Sequence, residues 1–339
     1  MAGQTVRQIA LGAGAAAVVA RRWLARRSFS FKDKVVLITG GSRGLGLVMA
    51  RQALAAGATV VICGRDEDTL ERAAQMLEPA GAVFAHRCDI TNREDAEALI
   101  DRVTDHFGRI DVLINNAGII SVGPIETMTL EDFETALQTH FWGHVYTTLA
   151  VLPQMKRRQS GRIVNISSIG GVIGVPHLVP YCASKFALTG FSESLGMELK
   201  KDHIYVTTVI PGLMRTGSPP HALFKGQHEA EYAWFTISDS LPGASISAER
   251  AARQILSACR RGDPNFVVSL PARFAVAVHG LLPGLSSHIL STVNRLLPSP
   301  GDGDRRAKKG HQSTSAWAPS VLTTLTERAA VRNNEVRKE

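Results

Sequence analysis

The amino-acid sequence predicts an α/β fold in which a doubly wound parallel sheet carries helices on both faces. From Lys34 onward, short apolar runs of strand length alternate with amphipathic segments of helix length. The first run, Val35–Thr39, leads into a glycine-rich stretch, which is typical of a buried strand that turns into a helix. Strands that alternate with helices of this length favour parallel pairing with right-handed crossovers. We expect a single domain over residues 33–270, with extensions at both ends.

The expected elements follow this alternation along the chain. Strands are expected at Val35–Thr39, Thr59–Cys63, Val83–Cys88, Ile110–Asn115, Arg162–Ser167, Tyr205–Ile210 and Asn265–Val268. Helices are expected at Leu45–Ala56, Asp66–Leu77, Asn92–Phe107, Tyr181–Lys200 and from Ser247 to Arg260. Thr129 and Ser247 are expected N-cap residues, because a hydroxyl there accepts a hydrogen bond from the first helical turn.

The net charge of +8 belongs to the ends of the chain. Residues 1–32 contribute +6 and residues 299–339 contribute +3, which leaves −1 for residues 33–298. A nearly neutral body offers no electrostatic surface to a phosphate backbone, which argues against nucleic-acid binding. The four cysteines are scattered and no histidines have zinc-ligand spacing. We therefore expect reduced, mostly buried thiols and no metal site.

The extensions differ from the domain in composition. Ile9–Ala20 is an apolar run that would form a helix of about 18 Å, shorter than the roughly 30 Å hydrocarbon core of a bilayer. Residues 1–32 therefore predict a basic, apolar membrane-surface anchor or a targeting segment, which would be mitochondrial in a eukaryote. Residues 271–298 are apolar and broken at Pro283-Gly284, which leaves open an extra packing helix, a dimer surface or a second membrane contact. Residues 299–339 are rich in Ser, Thr, Gly and charge, which predicts disorder. We expect a cytoplasmic protein that contacts the cytosolic face of a membrane.

A glycine-rich turn joins the first strand to the first helix. Its spacing is G-x-x-x-G-x-G, and glycines at such a turn let backbone N–H groups approach a pyrophosphate at the positive end of a helix. A plain tight turn would be the alternative for the glycines alone, but the position between a strand and a helix favours a dinucleotide site. The residues assigned to this contact are Gly40, Ser42, Arg43, Gly44, Leu45 and Gly46.

The ends of the next strands complete the predicted cofactor site. The second strand is followed by Arg65, where an NAD-selective site commonly places a carboxylate. Arg43 and Arg65 together favour the 2′-phosphate of NADP(H), although each alone could be a solvated surface residue. Asp89 is assigned to the adenine amino group, and Ile90 to the cofactor site. The run from Asn115 contributes Asn116, Ala117 and Gly118, whose amides can hold the loops under the cofactor.

The expected chemistry centres on a tyrosine and a lysine one helical turn apart. Tyr181 and Lys185 project from the same helical face, where the ammonium can lower the pKa of the phenol from about 10. Ser168 follows a strand 13 residues before Tyr181 and can hold a substrate oxygen. A Tyr-Lys pair alone could be a surface contact, but the ordered combination with the glycine turn favours catalysis.

The chain from about Lys34 to Leu270 resembles the single-domain branch of the short-chain dehydrogenase/reductase family. The matching segments are TGGSRGLG, NNAG, IVNISS, YCASK and PGLMRT. The resemblance implies a Rossmann-type fold and an NADP(H)-dependent oxidoreductase, in which Tyr181 is the acid or base. It also implies that Lys185 binds the nicotinamide ribose and that Ser168 orients the carbonyl. Bordering the nicotinamide would be Pro211, Gly212 and Thr216. Homodimers or homotetramers through Phe133–Leu152 and Tyr181–Lys200 are typical of the family.

One position departs from the family pattern. His140 stands where the family usually has an Asn that helps a water-linked proton relay to the lysine. An imidazole that titrates near neutrality could serve the same relay, so we include His140 among the expected catalytic residues. The alternative is a packed helical histidine and a weakened relay.

Apolar residues dominate the segments expected to cover the substrate. They are frequent in the stretch after Ser168 and between Thr216 and Ser247, where Leu223, Phe224, Tyr232, Trp234 and Phe235 lie. They favour a sterol, retinoid, fatty aldehyde or aromatic ketone as substrate, and ordinary loop packing is the alternative. A non-catalytic NADP-binding or scaffold protein on the same fold is a second hypothesis. An epimerase or dehydratase is a third, although little ordered chain is expected after Val268 for a separate substrate domain.

Overall fold

The computed structural model describes residues 29–302 and 304–336. The expected anchor or targeting run at Ile9–Ala20 lies outside these residues. The described chain begins beside the core, where Phe31 is buried and contacts Phe29 edge-to-face with ring centroids 5.4 Å apart.

A seven-stranded sheet forms the centre of the domain, and all of its strand pairs are parallel. Its strands are β1 (Val35–Thr39), β2 (Thr59–Gly64), β3 (Val83–Arg87), β4 (Val112–Asn115), β6 (Gly161–Ile166), β7 (Ile204–Pro211) and β11 (Asn265–Val268). The spatial order is β11-β7-β6-β4-β1-β2-β3, so the order reverses beside β1. The predicted doubly wound sheet is therefore confirmed, and the carboxyl ends of β1 and β4 face the crevice where such folds bind ligands.

Helices cover both faces of this sheet. They are α1 (Gly44–Ala55), α2 (Glu67–Leu77), α3 (Arg93–Phe107), α4 (Leu130–Leu137), α5 (Gly143–Arg158), α6 (Val179–Leu199), α7 (His228–Ser240), α8 (Ala248–Arg261), α9 (Leu270–Leu281), α10 (Pro283–Asn294) and α11 (Thr324–Arg332). Short strands form two small additional sheets: β5 (Ser121–Val122) with β9 (Leu223–Phe224) and β12 (Lys308–Lys309), and β8 (Met214–Arg215) with β10 (Ile246–Ser247).

The core forms because β1 is apolar on both of its faces. Val36 and Ile38 pack into the layer with α1 and α8, whereas Val35 and Leu37 pack into the layer with α3 and α5. All four side chains are buried. At about 1.5–3 kcal/mol for each fully buried side chain of this size, the two layers fix the strand between them.

Most expected element bounds agree with the structure to within one or two residues. Two expected helix starts, Asp66 and Asn92, are instead N-caps whose side chains accept hydrogen bonds from Thr69 and Asp95. The expected cap at Ser247 is confirmed, since its hydroxyl accepts from the N–H of Arg250 at 3.3 Å. Thr129 precedes α4, and its backbone N–H donates a hydrogen bond to the Asp132 carboxylate at 2.7 Å. This contact closes the first turn of that helix.

The apolar segment after β11 forms two helices that bend away from each other by 120° at Leu282. Exposed side chains run along both helices, among them Phe274, Leu281 and Leu285. Within residues 29–302 and 304–336, no single helix is long and apolar enough to cross a membrane, although α9 and α10 together meet that test of length and composition.

The C-terminal segment differs from the expectation of disorder. Residues 304–336 form β12, α11 and connecting turns that pack on the domain, and β12 pairs antiparallel with β9. Composition misses this order because the segment is held by polar contacts rather than by a large apolar face. Ser240 on α7, for example, donates to the hydroxyl of Thr326 at 2.7 Å, and both residues are buried.

Candidate active site and cofactor cleft

The glycine-rich turn after β1 has the close packing that a phosphate-binding turn needs. Gly40 and Gly44 have φ of +62° and +56°, which L side chains rarely adopt. A Cβ atom on Gly46 would lie 2.2 Å from the carbonyl oxygen of Gly40, so no larger residue fits there. Leu45 and Ser42 are buried beside the turn.

The loop after β4 fixes the conformation of this turn. The side-chain amide of Asn116 donates to the carbonyl oxygens of Thr39 and Gly40, both at 3.1 Å. The hydroxyl of Thr39 accepts from the N–H groups of Asn116 and Ala117 at 3.0 and 3.2 Å. Asn116 thus holds the turn from below, as the sequence predicts for an amide at this position.

The residues assigned to the adenosine half surround the ends of β2 and β3. Arg65 is exposed, and Arg43 is partly exposed with its Nε 3.4 Å from a carboxylate oxygen of Glu335. Asp89 accepts from the N–H and hydroxyl of Thr91 through one oxygen. Ile90 is buried, and its side chain lies 2.7 Å from the position that a Cβ atom on Gly143 would occupy. It therefore forms part of the wall under the cleft.

The predicted catalytic side chains converge beyond the carboxyl end of β6. Tyr181 and Lys185 lie on α6, and Ser168 begins the 3₁₀ turn that follows β6. The phenol hydroxyl of Tyr181 is hydrogen-bonded to Ser168. The ammonium of Lys185 lies 5.8 Å from the centre of the Tyr181 ring and donates to the carbonyl oxygen of Ile166 at 2.8 Å.

Burial dominates the electrostatics of this group. It raises the pKa of Tyr181 to about 12, against which the Ser168 hydrogen bond acts in the opposite direction. It lowers the pKa of Lys185 to about 7, because the charged form loses its hydration. The buried carboxyl of Asp239 on α7 also raises the pKa of Tyr181, and its own pKa is raised by burial to about 7. Sequence patterns gave no signal for Asp239, because it lies 58 residues after Tyr181 on another element.

His140 is packed against Tyr181. Its ring meets that of Tyr181 edge-to-face with centroids 5.3 Å apart. Its Nε2 accepts from the N–H of Ile119 at 3.1 Å, so Nδ1 carries the proton and donates to the Ser184 hydroxyl at 2.7 Å. Ser184 in turn donates to the carbonyl oxygen of Tyr181. Burial, followed by Lys185, holds the pKa of His140 well below its ordinary value. The expectation that this imidazole titrates near neutrality is therefore wrong, because burial keeps it neutral.

A second histidine lies one turn further along the same helical face. His144 donates from Nε2 to the carbonyl oxygen of Ala117 at 3.0 Å, and burial lowers its pKa to about 3. A π-helical turn over Gln138–Trp142 separates α4 from α5 at this point and directs His140 towards Gly118. A Cβ atom on Gly118 would be 3.0 Å from the His140 ring. The sequence did not indicate His144 or the π-helical turn, because neither changes the apolar period.

The residues assigned to the nicotinamide half lie at and beyond the end of β7. Pro211 ends the strand, and a Cβ atom on Gly212 would be 2.9 Å from Ala272 at the start of α9. Thr216 is buried, and its carbonyl oxygen accepts from the side chain of Asn333 at 2.9 Å. The C-terminal segment thus reaches the cleft, which the sequence did not predict.

Comparison with known proteins identifies the family. The family model for short chain dehydrogenases matches residues 34–221, which include the glycine turn and the three converging side chains. The chain belongs to the short-chain dehydrogenase/reductase family, whose members are oxidoreductases that bind a nicotinamide cofactor. Dehydrogenase/reductase SDR family member 7B of Bos taurus is 34% identical over 282 residues, covering 81% of this chain and 85% of that protein.

Two further relatives and one solved structure extend the comparison. A fatty acyl-CoA reductase of Acinetobacter baylyi is 32% identical, over 89% of this chain and 93% of that protein. A 3-ketodihydrosphingosine reductase of Bacteroides thetaiotaomicron is 39% identical, over 55% of this chain and 66% of that protein. The crystal structure of a short-chain dehydrogenase from Streptomyces avermitilis superposes with a TM-score of 0.66 at 30% identity, covering 77% of this chain and 98% of that chain.

Proposed function

We propose that this protein interconverts a carbonyl and an alcohol with NADP(H), using Tyr181 as the proton donor or acceptor. The observation that carries the proposal is the convergence of Tyr181, Lys185 and Ser168 at the mouth of the cleft beside the glycine turn. A bound nicotinamide would supply or accept the hydride at the substrate carbon. Ser168, which already shares a hydrogen bond with Tyr181, would hold the substrate oxygen within reach of that phenol.

Lys185 would set the charge state of the site. Its Nζ donates to the Ile166 carbonyl oxygen and lies 5.8 Å from the centre of the Tyr181 ring, so a charge on the protonated amine would act on the phenol. A proton that leaves Tyr181 leaves a phenolate, which a neighbouring cation stabilises and an apolar site does not. Since burial and the nearby Asp239 raise the pKa of Tyr181, the reaction would require such a positive charge.

The preference for NADP(H) over NAD(H) would come from two guanidinium groups. Arg43 and Arg65 lie beside the end of β2, and neither is enclosed by the domain. Both can turn towards a 2′-phosphate, which a guanidinium binds through two parallel hydrogen bonds. We expect Arg65→Ala, which does not touch the C-terminal segment's ion pair, to weaken NADPH binding about tenfold or more while leaving NADH nearly unchanged.

The test of the central proposal is NADPH oxidation at 340 nm with a panel of long-chain and aromatic ketones and aldehydes. Turnover by the wild type that is lost in Tyr181→Phe, with NADPH affinity retained, supports the assignment. Equal turnover in the two proteins overturns it. Tyr205→Phe is the matched control, because the ring of Tyr205 contacts Arg162 on the far side of the domain.

We further propose a lipophilic substrate. The fatty acyl-CoA and 3-ketodihydrosphingosine named in two relatives are both long-chain molecules. Three aromatic residues expected to line the pocket, Phe224, Tyr232 and Phe235, instead pack against one another in a small buried core, so loop packing explains them. The partly exposed apolar residues Val172 and Val175, which follow Ser168, remain available to a substrate chain. A rate that rises with chain length over a series of ketones or aldehydes is the expected result.

A homodimer is proposed through the outer faces of α5 and α6. These faces carry large exposed apolar side chains, Leu149 at 55%, Phe186 at 44% and Met197 at 74% exposure. Such a cluster is unusual on a monomer surface and matches the helices through which the family typically assembles. Light scattering should give the mass of a dimer or tetramer for the wild type and that of a monomer for Leu149→Glu/Phe186→Glu.

Contact with a membrane surface is proposed through α9 and α10. The sequence of both helices lacks Asp and Glu, and Leu270, Phe274 and Leu281 are each more than 70% exposed. An exposed apolar face with one arginine, Arg273, and no acid suits the interface of an anionic bilayer. Co-flotation with phosphatidylglycerol-containing vesicles that is lost in Phe274→Glu/Leu281→Glu is the expected result.

A further inference from the structure

The C-terminal segment lies across the glycine-rich turn. Asn333, Asn334 and Glu335 are all buried, and they are separated from the turn by about 290 positions in the sequence. They follow α11, which packs on α7. The segment contacts both halves of the cleft in which the family binds its cofactor.

Backbone and side-chain contacts hold this segment on the phosphate end of the cleft. The N–H of Gly44, the first residue of α1, donates to the carbonyl oxygen of Asn333 at 2.9 Å. A carboxylate oxygen of Glu335 lies 2.6 Å from the position that a Cβ atom on Gly44 would occupy. An acceptor oxygen and a carboxylate at the N-terminus of α1 occupy the position expected for a cofactor pyrophosphate.

The same segment occupies the two flanks of the cleft. On the adenosine side, the Asn334 amide donates to the carbonyl oxygens of Ser42 and Thr69 at 2.9 and 3.0 Å and accepts from Arg72 at 3.3 Å. On the nicotinamide side, Asn333 donates to Thr216, and Ala330 lies against Gly217.

The segment also takes the cation that the cofactor would use. Glu335 pairs with Arg43 at 3.4 Å, and its main-chain carbonyl accepts from Nε2 of His221 at 2.5 Å. Within the part of the chain that the structure describes, the Asn333 Oδ1 and Glu335 Oε2 atoms are buried without a hydrogen-bond partner. A buried acceptor without a donor opposes docking, so the segment is held less tightly than its contacts alone suggest.

We propose that residues 333–335 form an autoinhibitory strap that competes with the dinucleotide for the glycine turn. Residues of the strap and phosphates of the cofactor cannot share the Gly44 amide and the Arg43 guanidinium, so cofactor binding must displace the strap. The apparent dissociation constant of the cofactor is then its intrinsic dissociation constant divided by the fraction of protein in which the strap is open. The proposal rests on the cofactor site described above but not on any substrate.

The test measures NADPH affinity by fluorescence in the wild type, in Asn333→Ala/Asn334→Ala and in a control, Val321→Ser, whose side chain is 91% exposed in the same C-terminal segment. The double variant removes the side-chain hydrogen bonds of the strap but none of the groups assigned to the cofactor. We expect its Kd to fall about fivefold or more, since the loss of one average hydrogen bond shifts an equilibrium by about that factor. The control should bind as the wild type does.

A second measurement reads the strap itself. Arg332 is half exposed and immediately precedes the strap, so trypsin should cleave after it faster when the strap is displaced. Saturating NADPH should accelerate this cleavage in the wild type and change it little in the double variant. The strap proposal would be overturned if the double variant had unchanged affinity for NADPH and if NADPH slowed trypsin cleavage after Arg332. If NADPH binds to none of the proteins, the cofactor site itself is refuted.

Discussion

The buried carboxyl of Glu335 makes docking of the strap depend on pH, and the size of this effect can be worked from the structure. Burial raises the pKa of Glu335 from 4.5 to about 7 in the docked state, although Arg43 acts in the opposite direction. The other titratable group that faces it is His221, whose Nε2 lies 3.6 Å from its carboxylate. Burial and Arg43 lower the pKa of His221 below its ordinary value, which favours the neutral ring.

The sign follows from proton linkage. Since the docked state has the higher pKa, it binds more protons than the released state between about pH 4.5 and 7. Docking is therefore strongest at low pH and weakens as pH rises through the docked pKa. Between pH 6 and pH 8 the loss is about 1.3 kcal/mol, or about tenfold in the docking equilibrium.

Glu335→Gln provides the reference, because its side chain has a similar shape and does not titrate. We expect the ratio of NADPH dissociation constants, Glu335→Gln over wild type, to increase about tenfold from pH 6 to pH 8. The ratio cancels the titration of the cofactor phosphate, which affects both proteins alike. Fluorescence titration at pH 6, 7 and 8 measures it. A ratio that stays constant would show that Glu335 does not dock in a buried state, and the reasoning from its pKa would fail.

Three further outcomes are expected from the buried groups around the cleft. Tyr181→Phe should lower kcat by about 10²–10⁴-fold with little change in NADPH affinity, because only the transferable proton is lost. Single-turnover kinetics separates the effect on the chemical step from the effect on NADPH binding. His140→Asn should lower the free energy of unfolding by about 2 kcal/mol, since the shorter amide cannot keep both ring contacts, one of them to Ser184; a stability equal to that of the wild type in urea would contradict this. Asn115→Leu should cost about 3 kcal/mol, because it breaks three buried side-chain hydrogen bonds, whereas Asn294→Leu on the exposed face of α10 should cost little.

The sequence predicts that Tyr181, Lys185 and Ser168 come together because the information for this convergence is local. Tyr181 and Lys185 are joined by one helical turn, and the glycine turn is a continuous segment between two elements. In a parallel sheet the carboxyl ends of all the strands meet at one edge, so motifs that follow separate strands must come together. The positions of the elements, rather than any long-range contact, were sufficient for this prediction.

The remaining contacts depend on pairs that no local pattern marks. Asn334 and Ser42 are 292 residues apart, and only the path of the whole chain brings them together. His140 shows a second limit. Its residue type suggested a titrating group, but its environment of Ile119, Ser184 and Lys185 lowers its pKa through burial and charge. A pKa is a property of surroundings, which the sequence does not list.

Both C-terminal elements meet the cleft at the same loop, the one that follows β7. Ala272 of α9 packs against Gly212, Ala330 at the end of α11 contacts Gly217, and the strap residue Asn333 donates to Thr216. The loop between Gly212 and Gly217 therefore has α9 on one side and the strap on the other, and it borders the proposed nicotinamide position. A Cβ atom on Gly212 would be 2.9 Å from Ala272, so a larger residue would disturb the packing of α9 against this loop. The membrane contact proposed for α9 and release of the proposed strap would therefore both act on this loop, which lies next to the proposed site of hydride transfer.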